Sequence, residues 1–480
     1  MRKSIRRVFW LYTLLFLLLI FYLLKITLKD SKNYILNPMN PRLSSKAEDI
    51  KRGTIYDNNG TEIAHSEQTE NGFERLYKTE GNYSSVIGYT ENGMSGVEAG
   101  YNFNLESIDA ELLQRISAIF TKEPVKGNDI YLTIDDRVQC AAANALNGAK
   151  GSVVAMEPNT GRILAMASNP TFDSNTVVED WDYLTQNEED SPLINRATQG
   201  LYPPGSVFKI ITTAAALSAN ENNEDFEYTC NGYEQFGDTV MKCFEGYAHG
   251  TERMENAFAQ SCNTYYATIA EHIGSAKLMQ TANNFGFNSP VDFPLSHETP
   301  RFALDETSQL NELSETAIGQ GKTLVTPLFM VMIASAVAND GVMMKPYILD
   351  RVVNCYGIQK QKTIPEIKAR VCTPEIAQKI NKFMCACVSN GTGTGADFYA
   401  ALPDNSVSGS SVYVGEQHIT VAGKTGTAEN SSGEDHSWFV CFAPAQNPKI
   451  AVAVLLENSG HGDSAEYIAA DVMKTYLEIK

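Results

Sequence analysis

"VFWLYTLLFLLLIFYLL", residues 8 to 24, is a run of seventeen uncharged and almost wholly apolar residues between Arg7 and Lys25. Nothing else in the chain restricts its folding as strongly. With flanking residues that snorkel, a helix of this length crosses a hydrocarbon core of ~30 Å. Arg2, Lys3, Arg6, Arg7, Lys25 and Lys29 stand against Asp30 alone in the first thirty residues, a balance of +5. The chain total is −19, which leaves −24 on the remainder. Four basic residues before the run put the N-terminus in the cytoplasm and everything after residue 30 outside. A cleaved signal peptide would need small residues at its cleavage site, and "KITLKDSKNYILNP" has no A-x-A pattern. The expectation is a single-pass anchor: tail 1–7, transmembrane helix 8–24, the rest exported.

The acidic remainder argues against a nucleic-acid partner, which needs a basic face. At 480 residues the chain is expected to hold two to three domains. Nine cysteines are an odd count, so at least one is unpaired in an exported protein. Cys230 and Cys243 flank a polar stretch and are a candidate disulfide, the alternative being that all nine are free. There is no C-x-x-C pair and no H-E-x-x-H, so no zinc site is expected.

After the anchor, "NPMNPR" (37–42) reads as an extended linker. "RGTIYDNNGTEIAHS" (52–66) has the form of two strands about an Asn59-Gly60 turn. Residues 25–125 are read as linker and a small α+β module, and 126–480 as the main domain. Within the latter, Asp135 or Asp136 caps an alanine-rich helix, and 151–168 forms a hairpin about a Pro-Asn-Thr-Gly turn. Helices are expected at 206–219, 253–272, 275–285, 326–339, 374–389 and 464–478. Strands are expected at 418–426, 437–444 and 450–458. A hairpin first, helices in the middle and strands last give an α+β domain, its one antiparallel sheet assembled from both ends of the chain.

In "YPPGSVFKI" (202–210), Ser206 opens a helix and Lys209 follows one turn later. A serine there is ordinarily a helix cap. A catalytic reading rests on three points. Residues i and i+3 share a helix face, so the Lys209 amine can reach the Ser206 hydroxyl. A buried lysine loses proton affinity and becomes a base. Free N–H groups at the helix start can meet an oxyanion. "SCN" stands at Ser261, Cys262 and Asn263, and "KTGT" at Lys424, Thr425, Gly426 and Thr427. Each triplet alone is an ordinary turn or strand end. The ordered set on helix, loop and strand is the signature of penicillin-binding proteins and class A β-lactamases.

The chain resembles the class B penicillin-binding proteins, the membrane-anchored monofunctional peptidoglycan transpeptidases. "RGTIYDNNGTEIA", "GMSGVEAGYN", "GNDIYLTIDDRVQ", "YPPGSVFK", "GQGKTLVTP" and "GKTGTAE" carry the likeness across nearly the whole chain. The resemblance implies a penicillin-recognising, β-lactamase-like domain, its antiparallel sheet flanked by helices, on a pedestal module. It also implies Ser206 as acylated nucleophile, Lys209 as its base, and Ser261 as proton relay to the leaving amine. Asn263 would bond the substrate amide and Lys209, and Lys424 would supply positive charge. Thr425, Gly426 and Thr427 would hold the substrate, the two threonines bonding its carboxylate. The backbone N–H groups of Ser206 and Thr427 would form the oxyanion hole. The implied partners are D-Ala-D-Ala stem peptides, β-lactams, and a membrane glycan polymerase of the shape, elongation, division and sporulation family. No metal or organic cofactor is implied, and the location is a bacterial cell membrane.

A β-lactamase would need a deacylating glutamate followed by Leu-Asn after Ser206. "EEDSPLIN" precedes Ser206, and Glu298 lacks the Leu-Asn. A D,D-carboxypeptidase shares every motif and uses water as acceptor. A non-catalytic scaffold or β-lactam sensor is expected to have lost a catalytic serine or lysine, and here both stand. Cys262 is expected to point away from the catalytic groups, so that Cys262→Ala keeps activity. His436 is a candidate cleft residue, and Trp438 is read as strand packing.

Overall fold

The computed structural model describes residues 2–25, 50–70, 72–106, 125–305, 307–403, 413–429, 433–460 and 464–479. "NPMNPR" lies outside them. The first described element is a helix, Arg2–Lys25. It is the one helix among the described residues that is long and apolar enough to cross a membrane.

The five-stranded sheet at the centre has the order Ala422–Ala428, His436–Ala443, Ile450–Leu456, Gly151–Met156, Ile163–Asn169. Every neighbouring pair is antiparallel. The hairpin expected at 151–168 thus joins three strands from the far end of the chain. Strand side chains alternate between faces, and here both faces are covered. Val153, Ala155, Phe439, Cys441, Val452 and Val454 face a layer built from helices Asp136–Leu146 and Ser464–Ile479. Val154, Met156, Trp438, Val440, Ala451 and Ala453 face the larger core on the other side. All seven residues of Ile450–Leu456 are therefore buried, which is why "IAVAVLL" shows no polar alternation.

The larger core is helical. Helix Pro327–Ala338 is buried all round and packs on Ile450–Leu456 and Gly151–Met156. Thr326 caps it, accepting from Phe329 N–H at 3.1 Å, and Pro327 opens its first turn. Asp135, not Asp136, caps helix Asp136–Leu146, accepting from Arg137 N–H at 3.1 Å. Asp136 instead pairs with Lys78 at 2.6 Å.

Two expected elements are broken. The helix at 253–272 is two helices, Met254–Ala259 and Asn263–Ile273, and Ser261 between them has φ 57°. The strand at 418–426 is also two. Tyr413–Ile419 pairs with Phe398–Pro403, and Ala422–Ala428 forms the edge of the central sheet.

A second, six-stranded sheet has the order Gln359–Lys362, Leu349–Val353, Asp129–Leu132, Ile55–Tyr56, Glu62–Thr69, Gly72–Tyr77. Its Ile55–Tyr56 and Glu62–Thr69 strands form the expected hairpin about Asn59-Gly60. Asp57 Oδ1 accepts from Asn59 and Thr61 N–H at 2.8 and 2.7 Å, closing the turn. The hairpin 349–362 comes from the C-terminal part of the chain, so this sheet joins residues far apart in sequence. Beneath it "RGT" meets "GVEAG": the fully buried Glu98 accepts from Arg52 at 2.7 Å and from Arg75 at 2.8 Å. Burial pushes the Glu98 carboxyl up, but the Arg75 and Arg52 guanidiniums outweigh it and hold it below its ordinary value.

Candidate active site

An open cleft of about 1540 Å³ runs between the Ala422–Ala428 edge strand and the helical lobe. Ser206, Ser261, Asn263, Thr425, Gly426 and Thr427 all line it. Ser206 stands in a tight turn, Gly205–Phe208, that leads into helix Lys209–Ala219. Gly205 has φ +54°, and a Cβ on it would lie 2.2 Å from the Thr427 carbonyl oxygen. Only glycine lets the turn that carries Ser206 come this close to the strand. Trp438 Nε1–H donates to the Pro203 carbonyl at 3.0 Å, fixing the same turn from the neighbouring strand. Trp438 is buried, as its reading as strand packing implies, and it also reaches the cleft wall. The resemblance to penicillin-binding proteins implies penicillin labelling at Ser206, and Gly205→Ala should lower its rate about 10²-fold by displacing that serine. An unchanged rate would contradict this placement.

Lys209 is fully buried, with its Nζ 5.5 Å from the centroid of the Tyr266 ring. It donates to the Ser261 carbonyl at 2.7 Å, to Asn263 Oδ1 at 2.7 Å and to Ser261 Oγ at 3.1 Å. The helix break explains these contacts. The left-handed turn at Ser261 frees a carbonyl that a continuous helix would have used, and Lys209 takes it. A side chain held at positive φ costs of order 1–3 kcal/mol, and such strain gathers at functional sites. Lys424, also fully buried, donates to Ser261 Oγ at 3.0 Å and to the Thr425 carbonyl at 3.1 Å. Burial first, and the Lys424 charge second, hold Lys209 well below the ordinary lysine value. Burial also lowers Lys424.

The structure therefore brings Lys209, Ser261, Asn263 and Lys424 into one hydrogen-bonded cluster, with Ser206 on the same cleft. The expected Lys209–Ser206 hydrogen bond is not among those of the described residues. Such bonds are often long without substrate and tighten on binding. Thr427 joins the site through its backbone. Its carbonyl faces Gly205, and in an antiparallel strand a residue's N–H and C=O point the same way. His436 is buried at the cleft wall, its Nδ1 accepting from Asn458 N–H at 3.2 Å. Glu298 is not among the residues lining the cleft.

The description "Penicillin binding protein transpeptidase domain" matches residues 151–475, and "Penicillin binding protein A dimerisation domain" matches 52–130. The chain belongs to the class B penicillin-binding proteins. It is 32% identical to "Peptidoglycan D,D-transpeptidase PbpA" of Mycolicibacterium smegmatis over 89% of this chain and 88% of that one. It is 32% identical to "Peptidoglycan D,D-transpeptidase MrdA" of Acinetobacter baumannii over 80% of this chain and 60% of that one. Penicillin-binding protein A of M. tuberculosis, solved as an imipenem acyl-enzyme, superposes with TM-score 0.81 at 30% identity. That match covers 90% of this chain and 99% of the other. A D,D-transpeptidase domain from Eggerthella lenta superposes with TM-score 0.79 at 34% identity, over 90% and 99% of the two chains.

In this penicillin-binding protein the proposed Cys230–Cys243 disulfide is not formed. The two sulfurs are neighbours at 3.7 Å, against about 2.05 Å for a bond, and no disulfide is present among the described residues. Cys262 and His249 share the same small volume. Cys262 does point away from the cleft, into that cluster. Sequence reasoning also missed Thr392, whose hydroxyl bonds Thr425 Oγ1 across the cleft wall. Its signal was the glycine-rich "GTGTGA", which allows a loop to approach the strand closely.

Proposed function

We propose that this penicillin-binding protein cross-links peptidoglycan as a D,D-transpeptidase through an acyl-enzyme on Ser206, the same serine that β-lactams acylate. The observation that carries the reading is the buried Lys209, held toward its neutral form between Ser261 and Asn263 with Lys424 beside them. Ser206 Oγ attacks the carbonyl of the D-Ala-D-Ala bond while its proton passes to Lys209. The N–H groups of Ser206 and Thr427 hold the oxyanion. On collapse the C–N bond breaks, and Ser261 relays a proton from Lys209 to the departing D-alanine amine. An acceptor amine then attacks the ester and releases Ser206 with its proton restored. Asn263 bonds the substrate amide. Thr425 and Thr427 bond the terminal carboxylate over Gly426, and Lys424 acts from beneath by its charge, being too buried to reach out.

The domain division that fits this chemistry is tail 1–7, membrane helix 8–24, linker and pedestal 25–125, and transpeptidase 126–480. The basic residues before the helix support a cytoplasmic N-terminus and an extracytoplasmic site. The resemblance supports a membrane glycan polymerase as partner, met by the helix and pedestal. A second reading, D,D-carboxypeptidase, differs only in the acceptor. The test supplies lipid-linked glycan bearing stem peptides and resolves the products. Cross-linked dimers are expected, whereas tetrapeptide without dimers would replace transpeptidase by carboxypeptidase.

A further inference from the structure

Behind the cleft wall, Cys230, Cys243, Cys262 and His249 place their ligand atoms within 4.8 Å of one another. The three thiols are buried. Cys230 Sγ lies 3.7 Å from Cys243 Sγ, Cys243 Sγ 3.8 Å from Cys262 Sγ, and Cys230 Sγ 3.4 Å from His249 Nδ1. A zinc tetrahedron with Zn–S of about 2.3 Å and Zn–N of about 2.0 Å has edges of about 3.8 Å between sulfurs and about 3.6 Å between sulfur and nitrogen. The three separations given above lie within about 0.2 Å of those edges, and the other three are all under 4.8 Å. We propose that these four residues form a tetrahedral Cys3His site for one zinc-type divalent cation, and that the cation holds the catalytic Ser261–Asn263 turn in place.

The surroundings of the sulfurs are those of thiolate ligands. Gly232 N–H donates to Cys230 Sγ at 3.3 Å, Thr264 Oγ1 to Cys230 Sγ at 3.2 Å, and Tyr265 N–H to Cys262 Sγ at 3.5 Å. Hydrogen bonds of this kind orient metal ligands and stabilise their charge. Three thiols and one imidazole select a thiophilic ion and exclude magnesium or calcium, which take oxygen ligands.

The ligands come from separate pieces of chain. Cys230 ends the strand Tyr228–Cys230, Cys243 follows the strand Thr239–Lys242, and His249 precedes the strand Gly250–Glu252. Cys262 caps the helix that begins at Asn263. A cation would therefore pin the 228–252 excursion to the turn between the two helices. The coupling to catalysis is short. Asn263 Nδ2 donates to the Lys242 carbonyl at 2.8 Å, one residue before Cys243, while Asn263 Oδ1 accepts from Lys209. On this proposal the chain holds a metal and Cys262→Ala is not silent, against both expectations from the sequence. The cluster escaped notice because its ligands are far apart in sequence, with no short C-x-x-C spacing.

The test uses the full-length chain, purified reduced in detergent without chelator. About one zinc per chain should survive dialysis. Cobalt substitution should give visible ligand-field bands of a tetrahedral ion with thiolate-to-cobalt charge transfer. Cys230→Ser and His249→Gln should lose that stoichiometry, and Cys385→Ser, outside the cluster, should keep it. Stripping the metal should slow penicillin acylation about tenfold or more, and zinc but not magnesium should restore it. The metal content and cobalt spectrum of the wild type stand apart from the transpeptidase reading, whereas the acylation rate rests on it. A wild type without zinc and without the cobalt spectrum, or with a Cys230–Cys243 disulfide by non-reducing mass analysis, overturns the proposal. Acylation unchanged on stripping overturns the positioning role.

Discussion

Replacing Lys209 with methionine is expected to slow acylation by penicillin by about 10²- to 10⁴-fold, the contribution of a positioned general base. Methionine fills similar volume and leaves Ser206 in place, so the loss reads the missing base. The wild-type rate should rise with pH and level off once Lys209 is neutral. Burial and the neighbouring Lys424 charge both disfavour its protonated form, so the rise should lie well below the ordinary lysine value of 10.5. Lys424→Gln removes a like charge, which raises the Lys209 pKa and moves the rising limb to higher pH. A stopped-flow pH profile checks both signs. A limb that stays put in Lys424→Gln would remove Lys424 from the account of how Lys209 is kept neutral.

Glu98→Ala should cost about 3–5 kcal/mol of stability, because it leaves the buried Arg52 and Arg75 charges facing each other without their shared carboxylate. The same pair sets a pH dependence. Glu98 is held below its ordinary value of 4.5 in the folded chain, so its contribution is complete above that value. It is lost as pH falls through the folded-state pKa. Urea unfolding at pH 7 and at pH 4 reads both effects. A variant within about 1 kcal/mol of wild type at pH 7 would mean that the guanidiniums find other partners. Glu106, which also accepts from Arg52 at 2.9 Å, is the candidate for that role.

What was legible in the sequence were features written in contiguous residues. The proline-glycine entry to Ser206, the strand about Lys424 and the capped helices each occupy a short stretch whose local chemistry decides its form. Long-range pairing was not legible. The hairpin at 349–362 completes a sheet begun at residue 55, and nothing local in "LDRVV" says so. The break at Ser261 was half legible: its triplet reads as a loop, yet "AFAQSCNTYY" carries no glycine or proline to end the helix expected at 253–272. The carbonyl that this turn frees is bonded by buried Lys209. That contact comes from 52 residues away, beyond what local helix preference can read.

The central claim is that Ser206 is the acylated nucleophile. Intact-mass analysis of the full-length protein incubated with penicillin tests it most directly, with peptide mapping to place the adduct. The account predicts one adduct per chain, carried on the peptide containing Ser206 and absent from Ser206→Ala. An adduct on any other residue, or one that persists in Ser206→Ala, would contradict it.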